Sequence, residues 1–213
     1  MAVAFVSRGS AQWSGNNTTI DTTGATLLVV WAADGAGNVG SLSDSKGNTW
    51  TPLPTRIEPG SFVTGRFLYC VSPTVGTGHV FTLGGPWFAW TVWAFSGVAS
   101  YHSESGNTTA GTQPIASGSV TPSANGALIL AGMSYFDSGT PSVAPGFTTH
   151  NIPKTGSSVG NMSGWLVQTT AAAINPTWSW TGTLTNIVVA TAVFLPSASA
   201  APAAVQSYVW MPV

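Results

Sequence analysis

The stretch AWTVWAFS, residues 89–96, decides the fold class, because it is apolar on both faces of an extended strand. Successive side chains of a strand point to opposite faces, so Trp90 lies on one face and Trp93 on the other. The stretch VVATAVFL at 188–195 repeats this two-faced apolar pattern. Since a two-layer sandwich buries only one face of each sheet, we expect long loops, the C-terminal tail or a neighbouring chain to cover the second face.

The rest of the chain is also typical of β-structure. Short runs rich in Val, Thr and Trp alternate with clusters of Gly, Pro, Asn and Ser, and no window has a sustained helical period, which indicates a sandwich or barrel. We predict an all-β domain over residues 1–196, folded as two sheets packed face to face. The expected strands lie near residues 2–8, 25–33, 48–53, 62–71, 78–83, 87–96, 115–121, 127–136, 146–150, 163–170, 176–181 and 186–195.

Five segments recur in the same order at a nearly constant separation of about 98 residues, which predicts an internal duplication. In one pair Trp50 corresponds to Phe147, and both residues follow a turn that contains glycine. The two halves are expected near residues 25–100 and 125–196. The other paired segments are TLLVVWAA with ALILAGMS, GRFLYCVS with SGWLVQTT, HVFTL with PTWSW, and AWTVWAFS with VVATAVFL.

The composition changes after Pro196. Residues 197–204, SASAAPAA, are a low-complexity linker of Ala, Pro and Ser that we do not expect to fold alone. Residues 205–213, VQSYVWMPV, follow the linker and are mostly apolar, and we call them the hook. We predict that the hook extends from the domain and binds a partner through four apolar residues, Tyr208, Val209, Trp210 and Met211.

The chain has only five basic and six acidic residues among 213, and its net charge is −1. Binding to nucleic acid needs a basic surface that neutralises phosphates, so we expect no nucleic-acid partner. The N-terminus lacks the basic and apolar regions of a secretory signal, and no apolar run is long enough to insert into a membrane as a helix. The surface of a small free domain usually carries about a quarter charged residues, so this composition favours a homo-oligomer or a larger assembly.

The loop SLSDSKGNTWTPLP at 41–54 raises the question of a metal site. A calcium loop needs repeated carboxylates and a terminal bidentate Glu, and this loop has neither. A turn explains the sequence, because an Asp such as Asp44 accepts hydrogen bonds within its own turn and Gly47 tolerates positive φ. We therefore predict a turn without metal or cofactor, in which Asp44→Asn costs about 1 kcal/mol or less.

No arrangement of residues predicts catalysis. Zinc sites need ligands at paired spacings, whereas His79, His102 and His150 are isolated in the sequence. The chain has no G-x-S-x-G motif and no motif that frames two opposed carboxylates. The single cysteine, Cys70, lies in an apolar run and has no cysteine with which to form a disulfide. We predict no catalytic and no metal-binding residues.

Ten tryptophans are many for a chain of this length. Most of them fall in predicted strands, where packing and interfaces explain them. Trp13 and Trp87 lie nearer to predicted loops. Exposed aromatic rings stack on sugar rings, so these two residues are candidate ligand-stacking residues for a host glycan.

Several stretches together resemble a known β-sandwich module. TLLVV, SDSKGNTWT, GRFLYCVSPTVGTGHVFTL, WTVWAFSGVAS and ANGALILAG, within residues 25–195, are similar to a module of bacterial surface proteins and of tailed-phage structural proteins. The resemblance implies a jelly-roll-like sandwich without catalytic residues. It also implies a role in virion appendages, decorations and fibres, or in adhesive domains, and the missing signal sequence favours the virion.

These observations predict a non-enzymatic phage virion protein. We expect it to decorate or stabilise the capsid, as a decoration or head-spike protein, through sheet-face and C-terminal contacts with other virion proteins. The alternative is a carbohydrate- or receptor-binding module of a tail fibre or bacterial surface protein, in which case the protein is extracellular or on the cell surface. A third class, a jelly-roll glycosidase, rests on fold analogy alone.

Overall fold

A computed structural model of the chain describes residues 1–12, 16–35, 37, 39–60, 63–85, 88–144, 146–156 and 158–198. Strands account for most of these residues, and the described part of the chain contains no helix. The strands of the first half are β1 (Ala4–Gln12), β2 (Asn17–Ile20), β3 (Leu27–Asp34), β4 (Leu42–Asp44), β5 (Thr51–Pro52), β6 (Arg56–Ile57), β7 (Thr64–Val71), β8 (His79–Leu83) and β9 (Phe88–Ser96). Those of the second half are β10 (Val98–Thr109), β11 (Ile115–Ala116), β12 (Ala127–Phe136), β13 (Gly139–Ala144), β14 (Thr148–Ile152), β15 (Gly160–Gln168), β16 (Thr177–Gly182) and β17 (Thr185–Pro196).

Both halves have the same strand order. In the first half the larger sheet runs β1-β9-β3-β7-β5, with the short β6 also on β7, and the smaller sheet runs β2-β8-β4. In the second half the corresponding sheets run β10-β17-β12-β15-β14 and β11-β16-β13. Without β6, each half has eight strands in the order 1-8-3-6-5 and 2-7-4. This is the order of a jelly roll, except that the fifth strand pairs with the sixth in the larger sheet and not with the fourth in the smaller one. The predicted all-β sandwich is confirmed, but each half forms a two-sheet sandwich of its own, where a single pair of sheets was expected over residues 1–196.

The four sheets form four layers. Trp90 belongs to a core between the larger and smaller sheets of the first half, and the second half has its own core of this kind around Trp178. Trp93 belongs to a third core, which joins the larger sheets of the two halves. Both apolar faces of β9 and β17 are therefore buried within the chain. The expectation that loops, the tail or a neighbouring chain covers the second face was wrong, because each half covers the inner face of the other.

The strand register defines which residues of the two halves are equivalent. Leu27 pairs with Phe95 across β3 and β9, and Leu128 pairs with Phe194 across β12 and β17. Phe95 is thus equivalent to Phe194, as the sequence comparison predicted. For β7 and β15 the structure corrects the sequence comparison by two residues. Val71 pairs with Leu27 and Val167 pairs with Leu128, so Val71 is equivalent to Val167, whereas the sequence comparison had matched it with Thr169.

Polar contacts also join the halves. The guanidinium of Arg56 on β6 donates two hydrogen bonds to the Glu104 carboxylate on β10, at 2.6 and 2.7 Å. Near the other side of the interface, the Gln12 side-chain amide donates to the carbonyls of Pro153 and Val159, both at 3.0 Å. These contacts lie at opposite edges of the interface and restrict rotation of one half against the other.

Candidate functional site

The loop that follows β4 is organised by one carboxylate. Oδ1 of Asp44 accepts hydrogen bonds from the backbone N–H of Lys46 at 2.9 Å and from the side-chain amide of Asn48 at 3.1 Å. The N–H of Gly47 donates to the Asp44 carbonyl at 3.2 Å, and Gly47 has φ of +72°, a conformation that favours glycine. The predicted turn is present, and protein donors surround its acidic residue.

Asp44 also contacts the interior of the smaller sheet. Its Oδ2 accepts a hydrogen bond from Trp50 Nε1, and its Oδ1 contacts His79 Nε2, both at 2.8 Å. Burial by itself raises the pKa of Asp44, but the hydrogen bonds from His79, Trp50 and the turn outweigh burial and hold that pKa below its usual value. The ionised carboxylate is therefore the stable form in the folded chain.

Sequence analysis did not predict the third member of this cluster, Thr22. Oγ1 of Thr22 lies 2.9 Å from Nδ1 of His79, so Thr22, His79 and Asp44 form a hydroxyl–imidazole–carboxylate series. A nucleophile, a base and an orienting acid have this order in the triads of hydrolases. No local motif connects the three residues, because the sandwich brings together separate segments of the chain.

The three side chains of this series are buried and contact other parts of the first half. The side chains of Asp44 and His79 have no solvent exposure, and Thr22 is buried. The Thr22 hydroxyl accepts a hydrogen bond from the Gly76 N–H at 3.0 Å and lies 3.2 Å from the Gly76 carbonyl, while His79 stacks on Phe81 at 4.2 Å. The cluster ties three segments of the first half together.

The other two histidines and Cys70, which the sequence analysis weighed and did not predict as site residues, are dispersed in the structure. His102 Nδ1 lies 2.8 Å from Ser103 Oγ, and His150 Nε2 lies 3.2 Å from Ser10 Oγ. Burial of the Cys70 thiol, together with the negative charge of Asp44, raises its pKa and disfavours the reactive thiolate. Among the residues that the structure describes, no three His, Cys, Asp or Glu side chains form a group that could hold a metal ion.

The binding residues predicted from the sequence lie outside the described residues. This applies to the candidate sugar-stacking residues, Trp13 and Trp87, and to the hook residues Tyr208, Val209, Trp210 and Met211. Their roles stay predictions. The other tryptophans are packing residues, because Trp31, Trp90, Trp93, Trp178 and Trp180 are buried and Trp50 and Trp165 are half-buried.

An open, mainly apolar cavity of about 760 Å³ lies where the described chain ends, and we call it the groove. Sequence analysis did not predict it, because its walls come from five separate segments. The last described residues, Ser197 and Ala198, form part of the wall themselves. The other lining residues are Met1, Ala2, Val3, Ala99, Ser100, Ala124, Asn125, Gly126, Val167, Leu195 and Pro196.

A second cavity, of about 390 Å³, has both polar and apolar walls and lies at one end of the second half. Lys154 lies beside it, with its ammonium 4.4 Å from the centre of the Phe136 ring and 2.8 Å from the Gly156 carbonyl. Asp137 on the same cavity accepts a hydrogen bond from the Thr185 hydroxyl at 2.5 Å. The lining residues are Asp137, Ser138, Gly139, Thr140, Pro153, Lys154, Thr181 and Gly182.

The described residues include no helix with the length and apolar character needed to cross a membrane. Comparison of the chain with protein-family models, with curated proteins and with solved structures gave no match. The two cavities and the Asp44 cluster are therefore interpreted from their own chemistry.

Proposed function

We propose that this protein is a non-enzymatic structural component of a tailed-phage virion that decorates or stabilises the capsid through protein contacts. The observation that carries the proposal is the groove beside Ala198, the point from which the linker and the apolar hook continue. A mainly apolar, open surface and an adjacent apolar segment are the chemistry of a protein–protein contact.

The architecture and composition support the same role. Jelly rolls recur in viral capsid proteins and in lectins, and two of them here form one four-layer body. With 11 charged residues in 213, the surface carries few charges that would have to be desolvated in an interface. The Thr22–His79–Asp44 cluster joins three segments of the first half through buried hydrogen bonds.

The experiment that tests the proposal follows the chain into particles. Phage particles from the native host are purified on a density gradient and labelled with an antibody against this chain. We expect the chain to band with the particles and the label to lie on the capsid. A chain lacking residues 205–213 should fold, with an unchanged far-UV spectrum, yet fail to band with the particles. If the full-length chain never bands with particles, the proposal is wrong.

A second candidate function, glycan binding on a tail fibre or cell surface, is favoured by the polar side chains that line the second cavity. Asp137, Thr140, Lys154 and Thr181 offer hydrogen-bond donors and acceptors that suit the hydroxyls of a sugar. A glycan array tests this function, with Thr181→Val as the variant that removes a donor and Thr23→Val as an exposed control. Binding that Thr181→Val reduces and Thr23→Val retains would favour the second candidate.

A further inference from the structure

The second cavity lies where three connections of the second half meet. Asp137 lies between β12 and β13, Lys154 lies between β14 and β15, and Thr181 is near the end of β16. The connections pack closely, because a Cβ atom at Gly182 would lie 3.1 Å from the carbonyl oxygen of Ser138. Gly182 also has φ of +76°, a conformation that favours glycine. Polar groups from separate segments are thereby held around one cavity.

The connection that contains Lys154 is held by the first half of the chain. The side-chain amide of Gln12 on β1 donates hydrogen bonds to the carbonyls of Pro153 and Val159, both at 3.0 Å. The side-chain carbonyl of Gln12 accepts a hydrogen bond from the Thr155 hydroxyl at 3.1 Å. A binding segment that is already ordered loses less conformational entropy when a ligand binds. The first half therefore helps to position one wall of this cavity.

Two opposite charges line the cavity and do not neutralise each other. The ammonium of Lys154 donates one hydrogen bond to the Gly156 carbonyl at 2.8 Å and lies 4.4 Å from the centre of the Phe136 ring. One oxygen of the Asp137 carboxylate accepts a hydrogen bond from the Thr185 hydroxyl. In the described part of the chain, neither Lys154 nor Asp137 belongs to an ion pair. Since an ammonium has three N–H donors and a carboxylate has two oxygens, both groups can bind a ligand.

The remaining polar groups match a saccharide. Ser138, Thr140 and Thr181 are exposed and line the cavity, and each hydroxyl both donates and accepts hydrogen bonds. The volume, about 390 Å³, lies in the lower part of the range of about 300–1,000 Å³ found for small-molecule sites. Lys154 is the positively charged residue of the lining. Because a hydrogen bond between charged groups is roughly twice as strong as one between neutral groups, Lys154 favours an acidic sugar over a neutral one.

We infer that the second cavity binds an acidic sugar, with the sugar carboxylate on Lys154 and sugar hydroxyls on Asp137 and Thr181. This inference rests on the second candidate function, because it names the class of glycan that the cavity binds. The two charged residues have different roles. Asp137 accepts hydrogen bonds from hydroxyls that acidic and neutral sugars share, whereas Lys154 contacts the carboxylate that only an acidic sugar carries.

A glycan array that pairs uronic-acid glycans with their neutral counterparts tests the inference on the full chain. We expect wild type to bind the uronic-acid member of a pair about 10-fold more tightly than the neutral member. Lys154→Gln should remove this preference and keep the binding of the neutral member. Asp137→Asn should weaken the binding of both members. The matched control is Lys46→Gln, the same substitution at the other lysine of the chain, which should bind as wild type does.

Three results would overturn the inference. Wild type that binds none of the uronic-acid glycans would show that the cavity is not a site for acidic sugars. Equal binding of the two members of each pair would exclude the role of Lys154 and leave the second candidate function in place for neutral glycans. A loss in Lys46→Gln as large as that in Lys154→Gln would place the contact outside the cavity. The proposed virion function is judged separately, by whether the full-length chain bands with particles.

Discussion

At each edge of the interface between the two larger sheets, three aromatic rings have the same arrangement. Phe5 of β1 stacks on Trp165 of β15 at 5.9 Å, and both rings pack edge-on against Phe95, with interplanar angles of 70° and 73°. At the opposite edge, equivalent positions supply the same three contacts. There Tyr101 stacks on Tyr69 at 5.3 Å, and both pack edge-on against Phe194 at 69° and 74°.

At the centre of the interface, equivalent positions differ in size. Where the first half has a large side chain, the second half has a small one. By register, Trp31 is equivalent to Gly132, Phe67 to Ser163, and Trp93 to Ala192. The large and small residues also contact each other, since Trp93 Nε1 donates to Ser163 Oγ at 3.0 Å. The edges of the interface are therefore symmetric between the two halves, whereas the centre is asymmetric and complementary in size.

The indole of Trp31 shows what this complementarity requires. A Cβ atom at Gly132 would lie 2.3 Å from Trp31 Cδ2, and a Cβ atom at Gly65 would lie 2.6 Å from its Cζ2. Two first halves that met in this geometry would place an indole at both equivalent positions, and there is no space for both. The two halves are thus specific partners for each other.

The largest expected effect comes from removing the central indole. Trp31 is fully buried between the halves, and glycines on two sides cannot fill the space that it leaves. We expect Trp31→Ala to lower the free energy of unfolding by about 4 kcal/mol. Equilibrium denaturation in guanidinium measures it. A loss below about 1 kcal/mol would mean that the halves do not depend on this contact.

The second-largest expected effect comes from enlarging Gly132, the small residue that packs against Trp31. Gly132→Ala should cost about 3 kcal/mol, because its methyl group overlaps the indole ring. Gly84→Ala is the matched control, since a Cβ atom there meets its neighbours at 3.7 Å, an ordinary contact. In the double variant Trp31→Ala with Gly132→Ala, the second substitution should cost much less than it does alone. Additive losses would contradict direct packing of the two residues.

Much of this fold follows from the sequence, and the reasons are local. Two-faced apolar strands such as 89–96 and the recurring segments predict buried β-sheets and a duplication. The strands β2, β4, β6, β10 and β13 were missed. The longest of them, β10, is a polar edge strand held by its pairing with β17. The packing of Trp31 against Gly132 could not be predicted from the sequence, because it depends on how the two larger sheets face each other.

The candidate sites followed from the sequence much less well. The turn at Asp44 was predicted from its residues, but its contacts with Thr22 and His79 depend on tertiary structure. The groove combines both ends of the described chain with three internal segments, and no sequence pattern links them. The predicted hook and the stacking residues Trp13 and Trp87 have not been tested, because they lie outside the described residues.

The third prediction concerns Asp44 and compares the smaller sheets of the two halves. The first contains Asp44 and His79, whereas β11, β13 and β16 of the second contain no charged residue and no histidine. Asp44→Asn loses several hydrogen bonds at a buried site, so we now expect a cost of about 2 kcal/mol, more than the turn alone implied. Thermal denaturation at neutral pH measures the loss. A loss no larger than that of Asp21→Asn would show that the cluster adds little.

The same residue gives the first half a dependence on pH. The pKa of Asp44 in the folded chain is below its ordinary value of 3.8, so its stabilisation is present above that value and is lost as the pH falls below it. Between pH 5 and pH 2 we expect the free energy of unfolding to fall less steeply for Asp44→Asn than for wild type. Asp21→Asn is the control for an exposed carboxyl, whose pKa is also lowered, by hydrogen bonds from Thr23. Parallel curves for wild type and Asp44→Asn would contradict this assignment.

The smallest expected effect on stability comes from a substitution in one of the two symmetric aromatic trios at the edges of the interface. Phe5→Tyr gives the first aromatic trio the residue that Tyr101 supplies to the second. Phe5 is 44% exposed, so the added hydroxyl can stay in water while the ring keeps its stack on Trp165. We expect the free energy of unfolding to change by no more than about 0.5 kcal/mol.

The comparison is Trp93→Tyr at the centre of the interface. The Trp93 ring is buried, and Ser163 would lose its hydrogen-bond donor. The expected loss in the free energy of unfolding is therefore about 2 kcal/mol. Equal losses at the two positions would mean that edge and centre are equally constrained, and that the difference between them does not determine how the halves pair.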